Sequence, residues 1–172
     1  ATNQYPLPDL RTPVEISMNS TNPGTILDVM LGVRINHTWP ADLTMTLIHP
    51  DGTEVTLTDH NGNGSHKDGT EVWGEGSRSC NGDLAYFSQT ATQSIIDRSK
   101  PFTGFSRPVD NLNILEGKDA AGDWTLRIVD GWAQDDGELF CAQLLLATSN
   151  PDTTEIIDSQ TSMNDQTAIW NL

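Results

Sequence analysis

Residues 122–130 read Gly-Asp-Trp-Thr-Leu-Arg-Ile-Val-Asp, and residues 137–146 read Gly-Glu-Leu-Phe-Cys-Ala-Gln-Leu-Leu-Leu. In the first run Trp124, Leu126 and Ile128 alternate with Thr125 and Arg127. A period of two sends neighbouring side chains to opposite faces, so the run is expected to be a strand with one buried face. The second run is apolar on both faces, the pattern of a strand in the middle of a core. Asp and Gly residues between the runs suit a tight connection. The two are expected to pair as a hairpin that closes the domain.

Earlier residues repeat the pattern. A first strand is expected over 13–18. A long one follows over 26–35, with Leu27, Val29, Leu31, Val33 and Ile35 on one face and Asp28 and Arg34 on the other. Residues 43–49 place Leu43, Met45 and Leu47 inward. Pro50-Asp51-Gly52-Thr53 then turns the chain, because Pro fixes φ and Gly supplies positive φ. Residues 54–58 return with Val55 and Leu57 inward, and 84–87 form a short strand. About eight strands, separated by turn signals, predict an all-β sandwich. A chain of 172 residues is one domain by size and can bury one sizeable core. The body is expected over 1–148. Residues 149–172 are rich in Asp, Thr, Ser and Gln and are expected to be a polar tail or linker, although Ile156-Ile157 and Ile169-Trp170 can pack back onto the body.

Three blocks carry a family resemblance. One is Gly122-x-Trp124-x-Leu126-x-x-x-Asp130, then Asp135 and Gly137-x-Leu139. Another is Val33-x-Ile35-x-His37-Thr38, followed by Ala41-Asp42-Leu43-x-x-x-Leu47-x-x-Pro50-x-Gly52-Thr53. The third is Gly104-Phe105-x-x-Pro108 with the Leu112, Leu115, Gly117 run. Together they resemble the P domain, also called homo B. That domain follows the subtilisin-like catalytic domain in kexin- and furin-type proprotein convertases and in many secreted bacterial serine proteases. The resemblance implies a jelly-roll fold. It also implies a non-catalytic role in stabilising or regulating a subtilisin-like catalytic domain in cis, often with calcium, in a secreted, extracellular protein. The chain departs from the family pattern at two places. Phe87 is followed by Ser88-Gln89-Thr90 instead of adjacent acids, and Ala142 stands where the family often has Trp, leaving room for Phe140 or a bridge from Cys141 to fill.

The charge balance narrows the partners. With 9 basic and 24 acidic residues the net charge is -15, which repels nucleic acid and anionic membranes alike. No apolar run approaches the roughly 18 residues that a membrane-spanning helix needs. Ala1 opens a polar segment with no leader pattern, so the chain is expected to be a mature product or an excised piece. The isolated domain is expected to be a monomer. Cys80 and Cys141 match no zinc spacing and are expected to form a disulfide, with Cys80 anchoring a loop to a strand.

A serine protease needs a Ser, a His and a carboxylate brought together. None of His37, His49, His60 and His66 lies in a subtilisin-type motif, and no Gly-x-Ser-x-Gly elbow occurs. His37 is expected to hold a corner through a hydrogen bond. No catalytic residue is therefore assigned. Calcium has two candidate loops. Asp59-His60-Asn61-Gly62-Asn63-Gly64 matches the first half of an oxygen-ligand loop, but its twelfth position is Thr70 instead of Glu. Asp130, Asp135 and Asp136 cluster around one turn, where Asp can equally cap loop amides. The metal candidates are thus Asp59, Asn61, Asn63, Asp130, Asp135 and Asp136. Trp39, Trp73 and Trp132 fall in expected loops and either grip a partner or cap the sandwich, whereas Trp124 belongs to the core. An alternative function is a free-standing binding module for carbohydrate or a fibrous protein.

Overall fold

The computed structural model describes residues 4–8, 11–61, 72–98, 102–150, 153–159 and 168–171. Its strands are β1 (Tyr5–Leu7), β2 (Val14–Ser20), β3 (Ile26–His37), β4 (Leu43–Ile48), β5 (Glu54–Asp59) and β6 (Val72–Trp73). They continue with β7 (Ala85–Ser88), β8 (Gly104–Ser106), β9 (Gly122–Asp130), β10 (Gly137–Thr148), β11 (Thr153–Asp158) and β12 (Ala168–Asn171). Short 3-10 turns occupy Pro40–Asp42, Ile95–Asp97 and Leu112–Leu115. No helix among the described residues is long and apolar enough to cross a membrane. The all-β sandwich expected from alternation is present. More than eight strands appear because β1, β6 and β8 span three, two and three residues, too few to show a period.

One sheet has the order β2-β9-β4-β5. The other runs β12-β11-β10-β3-β7-β8, with β1 also paired to β10 and β6 to β3. Met45, Leu47, Trp124 and Leu126 of the first sheet share one core with Leu31, Val33, Leu144 and Leu146 of the second. The early hairpin is as expected: Leu47 lies opposite Val55 and Ile48 opposite Glu54, with Gly52 at φ 88 in the turn. An L side chain resists that backbone conformation, whereas Gly adopts it freely.

The late hairpin is not formed. β9 pairs with β2 and β4, while β10 pairs with β3 and β11, so the two runs lie in opposite sheets. Residues 131–136 cross from one sheet to the other at one end of the sandwich. Alternation reports which face of a strand is buried; it does not report which sheet the strand joins. Packed sheets lie about 10 Å apart, a gap a short loop can bridge.

Two irregularities in the β3–β10 pairing re-aim side chains. The shift between Ala147 and Thr148 faces the start of β3, where Ile26 is buried and Leu27 is 53% exposed, the reverse of the expected facing. The shift between Leu139 and Cys141 accompanies a change of face in β10. Phe140 is buried outside the core cluster, with the Arg34 and Arg78 guanidiniums 5.6 and 5.3 Å from its ring centre. It does not fill space beside Ala142, which sits fully buried in the core.

Residues 149–172 contribute β11 and β12 to the larger sheet, where composition alone suggested a tail. Ala142 donates its N–H to the Ser159 hydroxyl at 2.8 Å, and the Ser159 N–H returns to the Ala142 carbonyl at 2.8 Å. Buried Glu155 accepts from the Ser20 hydroxyl and, at 3.4 Å, from the Thr21 N–H. Those bonds tie β11 to the edge of the opposite sheet. Among the described residues of the segment, Glu155, Asp158 and Ser159 are thus bonded to the body, which composition cannot reveal.

Candidate functional site

Five strand termini meet at one end of the sandwich. β3 ends at His37, β4 begins after Asp42, β5 ends at Asp59, β9 ends at Asp130, and β10 begins at Gly137. The His37 and Asp130 side chains are both 0% exposed, with Nε2 and Oδ2 3.1 Å apart. His37 Nδ1 accepts the Trp39 N–H at 3.0 Å, which assigns the ring proton to Nε2 and aims it at the carboxylate. Because β3 and β9 belong to different sheets, this bond clamps the sandwich at its end. Asp130 Oδ1 accepts the Trp132 N–H at 3.1 Å. Gly137 lies under the His37 ring; a Cβ there would collide with the imidazole.

The opposite end repeats the device. His49 Nε2 meets the Asp119 carbonyl at 2.9 Å and Nδ1 accepts the Asp51 N–H at 3.1 Å. Its ring stands edge-on to Trp124, centroids 4.8 Å apart. Both nitrogens of each ring are thus occupied in structural bonds. The corner role expected for His37 is what the structure displays. His60 lies 3.7 Å from Asp59 and is largely exposed, and His66 lies outside the described residues.

The described parts of the two candidate calcium loops, separate in sequence, adjoin one another around Asp42. The Gly131 N–H donates to the Asp42 carbonyl at 2.9 Å, and the His60 N–H donates to the Leu43 carbonyl at 3.2 Å. A Cβ on Gly131 would lie 2.7 Å from His60 Cε1. Asp42 itself is buried. Burial pushes its carboxyl up to about 6, with Asp135 and Asp130 adding to the rise and His37 and His60 opposing it. Asp42 was absent from the metal candidates. It lay in view within Ala41-Asp42-Leu43, but read there only as the opening of a strand.

The expected ligands are placed as follows. Asp59 Oδ1 accepts the Thr44 hydroxyl at 3.0 Å, and Asn61 Nδ2 donates to the Thr58 hydroxyl at 3.1 Å. Asn63 lies outside the described residues. Asp135 Oδ1 accepts the Thr38 hydroxyl at 3.1 Å. Asp136 works through its backbone: its N–H reaches Thr38 Oγ1 and its carbonyl accepts the Thr38 N–H, each at 3.0 Å. Both Asp130 oxygens are engaged, one by His37 and one by Trp132. Among the described residues, these carboxylates do not bring three oxygens within 4.8 Å of one another. The donor set is nevertheless all oxygen and crowded with negative charge, the chemistry that suits a hard divalent cation.

Cys80 and Cys141 are joined, with Cα atoms 5.2 Å apart. The bridge fastens the loop after β6 to the larger sheet. Of the three indoles expected in loops, Trp73 instead lies in β6 opposite Ile35; it is 1% exposed and stacks on Phe102 at 4.1 Å. Trp39 is half-buried. Trp132 stands 60% exposed on the crossing loop, its backbone held by Asp130.

Residues 26–86 match the family model described as the proprotein convertase P-domain. The resemblance read from the sequence is borne out over that segment, which holds β3, the β4–β5 hairpin, His37 and Asp42. Among solved structures the chain is similar to the crystal structure of a serine protease of Aeromonas sobria, at 16% identity and TM-score 0.39, covering 91% of this chain and 24% of that one. It is likewise similar to the crystal structure of the Aeromonas sobria serine protease in complex with its chaperone, at 16% identity and TM-score 0.40, with the same coverages of 91% and 24%. The chain therefore spans 24% of the length of those proteases. No curated protein matches it.

Proposed function

We propose that the chain is a secreted, non-catalytic accessory domain that stabilises a subtilisin-like serine protease domain in cis. The P-domain match over 26–86 carries this reading. The histidines support it, since His37 and His49 commit both ring nitrogens to structural hydrogen bonds. Stabilisation follows by linkage: a module that binds only the folded catalytic domain lowers that state's free energy in proportion to its local concentration over Kd. Deleting the chain from the full-length protease is expected to shorten the half-life of thermal inactivation at least about tenfold, a loss of ~1.4 kcal/mol or more of stabilisation. An unchanged half-life defeats the proposal.

Calcium belongs to the same reading. Asp42 and Asp135 would hold the ion, because the Asp130 oxygens are already engaged; carbonyl oxygens and water would complete the shell. The ion would supply positive charge where three carboxylates repel one another. A melting temperature that rises in Ca²⁺ over chelator, and fails to rise in Asp42→Asn, is the expected result. Identical melting curves in Ca²⁺ and chelator for the parent chain rule out the calcium part.

A further inference from the structure

Cys80, Cys141 and Asp158 offer two sulfurs and a carboxylate oxygen that all lie within 4.8 Å of one another. In the oxidised chain the sulfurs are bonded to each other and cannot ligate an ion as thiolates. The segments that carry the three residues are, however, held by interactions other than the bridge. The loop carrying Cys80 is closed by the Glu75 N–H on the Asp83 carbonyl at 2.7 Å and the Asp83 N–H on the Glu75 carbonyl at 3.0 Å. The Gly74 N–H pins it to the Phe102 carbonyl at 2.8 Å, and Arg78 lies over the Phe140 ring. Cys141 sits in β10, paired with Arg34 of β3. Asp158 lies opposite Gln143 in the β10–β11 register, and Gln143 Nε2 donates to its Oδ1 at 2.8 Å. Opening the bridge leaves two sulfurs and a carboxylate facing one another on a framework already in place.

We propose that reduction of the Cys80–Cys141 bridge turns this spot into a site for one thiophilic divalent cation, Zn²⁺ or Cd²⁺, held by both sulfurs and an Asp158 oxygen, with water in the fourth position. The reductant is an external dithiol. It gives two electrons and two protons, its own sulfurs become a disulfide, and Cys80 and Cys141 become thiols. The cation then displaces both thiol protons to solvent, since only thiolates ligate. Tetrahedral zinc takes sulfur at about 2.3 Å and carboxylate oxygen at about 2.0–2.2 Å, which sets ligand atoms roughly 4 Å apart. The Asp158 oxygen already lies within 4.8 Å of both sulfurs, while the bonded sulfurs must part to about that spacing. Cys80, half-buried on a loop, supplies the movement that parts the sulfurs, while Cys141 is fully buried. The soft donors separate this site from the all-oxygen acidic end, which Ca²⁺ would prefer.

The test reduces the chain with dithiothreitol, removes the reagent anaerobically, confirms retained β structure by circular dichroism, and titrates Cd²⁺. The expected result is a saturable thiolate-to-cadmium charge-transfer band at one ion per chain, absent from the oxidised chain and displaced by Zn²⁺. Asp158→Asn is expected to weaken Cd²⁺ binding, read from that band, about tenfold or more. Equal binding by Asp158→Asn and parent, no saturable band, or loss of the β spectrum on reduction before metal is added each overturns the proposal.

Discussion

Asp42 shows how a single carboxyl records the field around it. Its titration moves from 3.8 to about 6 on folding, chiefly through burial and then through Asp135 and Asp130. Between those values the folded chain holds the proton more tightly than the unfolded chain. Stability is therefore unpenalised below about pH 4 and declines as the pH rises to about 6, beyond which the penalty is complete. Each unit is worth ~1.4 kcal/mol, so the penalty is expected to be about 1–3 kcal/mol. Urea unfolding in chelator across this range measures it. The difference in stability between Asp42→Asn and parent should open by that amount between pH 4 and pH 6; a constant difference contradicts the assignment. His37 makes the complementary case. Its removal leaves the buried Asp130 Oδ2 without its hydrogen-bond donor, which costs about 1–3 kcal/mol. His37→Ala should lower the urea midpoint accordingly, and a shift under ~1 kcal/mol would show that the clamp does little.

At the scale of strands, β11 holds the most informative contrast between sequence and structure. Its buried Glu155 receives the Ser20 hydroxyl and the Thr21 N–H from across the sandwich. Glu155→Ala strands the buried Ser20 hydroxyl and is expected to cost about 1–3 kcal/mol; a neutral effect would mean β11 is loosely docked. The alternation that betrays β4, β5 and β9 was legible because each buries one face against a single core. Glu155 is a buried acid in a strand, so its pattern reads as polar tail. The same limit hid the crossing at 131–136. Period two identified β9 and β10 as strands, yet pairing partners are chosen by the fold as a whole, and β9 found β2 and β4. Leu27 and Ile26 exchanged faces for a related reason: the irregular pairing near Thr148 is set by two strands together. The two candidate calcium loops were each visible as Asp- and Asn-rich sequence. Their meeting at Asp42 depends on β4, β5 and β9 ending side by side, which no one-dimensional spacing reports.

For the whole molecule, the two sheets are clamped at one end by His37 and Asp130, His49 ties the β4–β5 turn to the loop before β9, and the Cys80–Cys141 bridge holds the loop after β6 against the larger sheet. Closing a loop with a separation of 61 residues stabilises by about 4 kcal/mol on the chain-entropy model. Cys80→Ser with Cys141→Ser should lower stability by an amount of that order, read from guanidinium melts. A body so fastened, with an exposed Trp132 and a crowded acidic end, suits a companion that lends rigidity to a neighbour. The decisive measurement is the thermal inactivation half-life of the intact protease with this chain present and with it deleted. The account predicts a markedly shorter half-life on deletion, with unchanged activity per correctly folded molecule. Equal half-lives, or peptide hydrolysis by the chain alone, would contradict it.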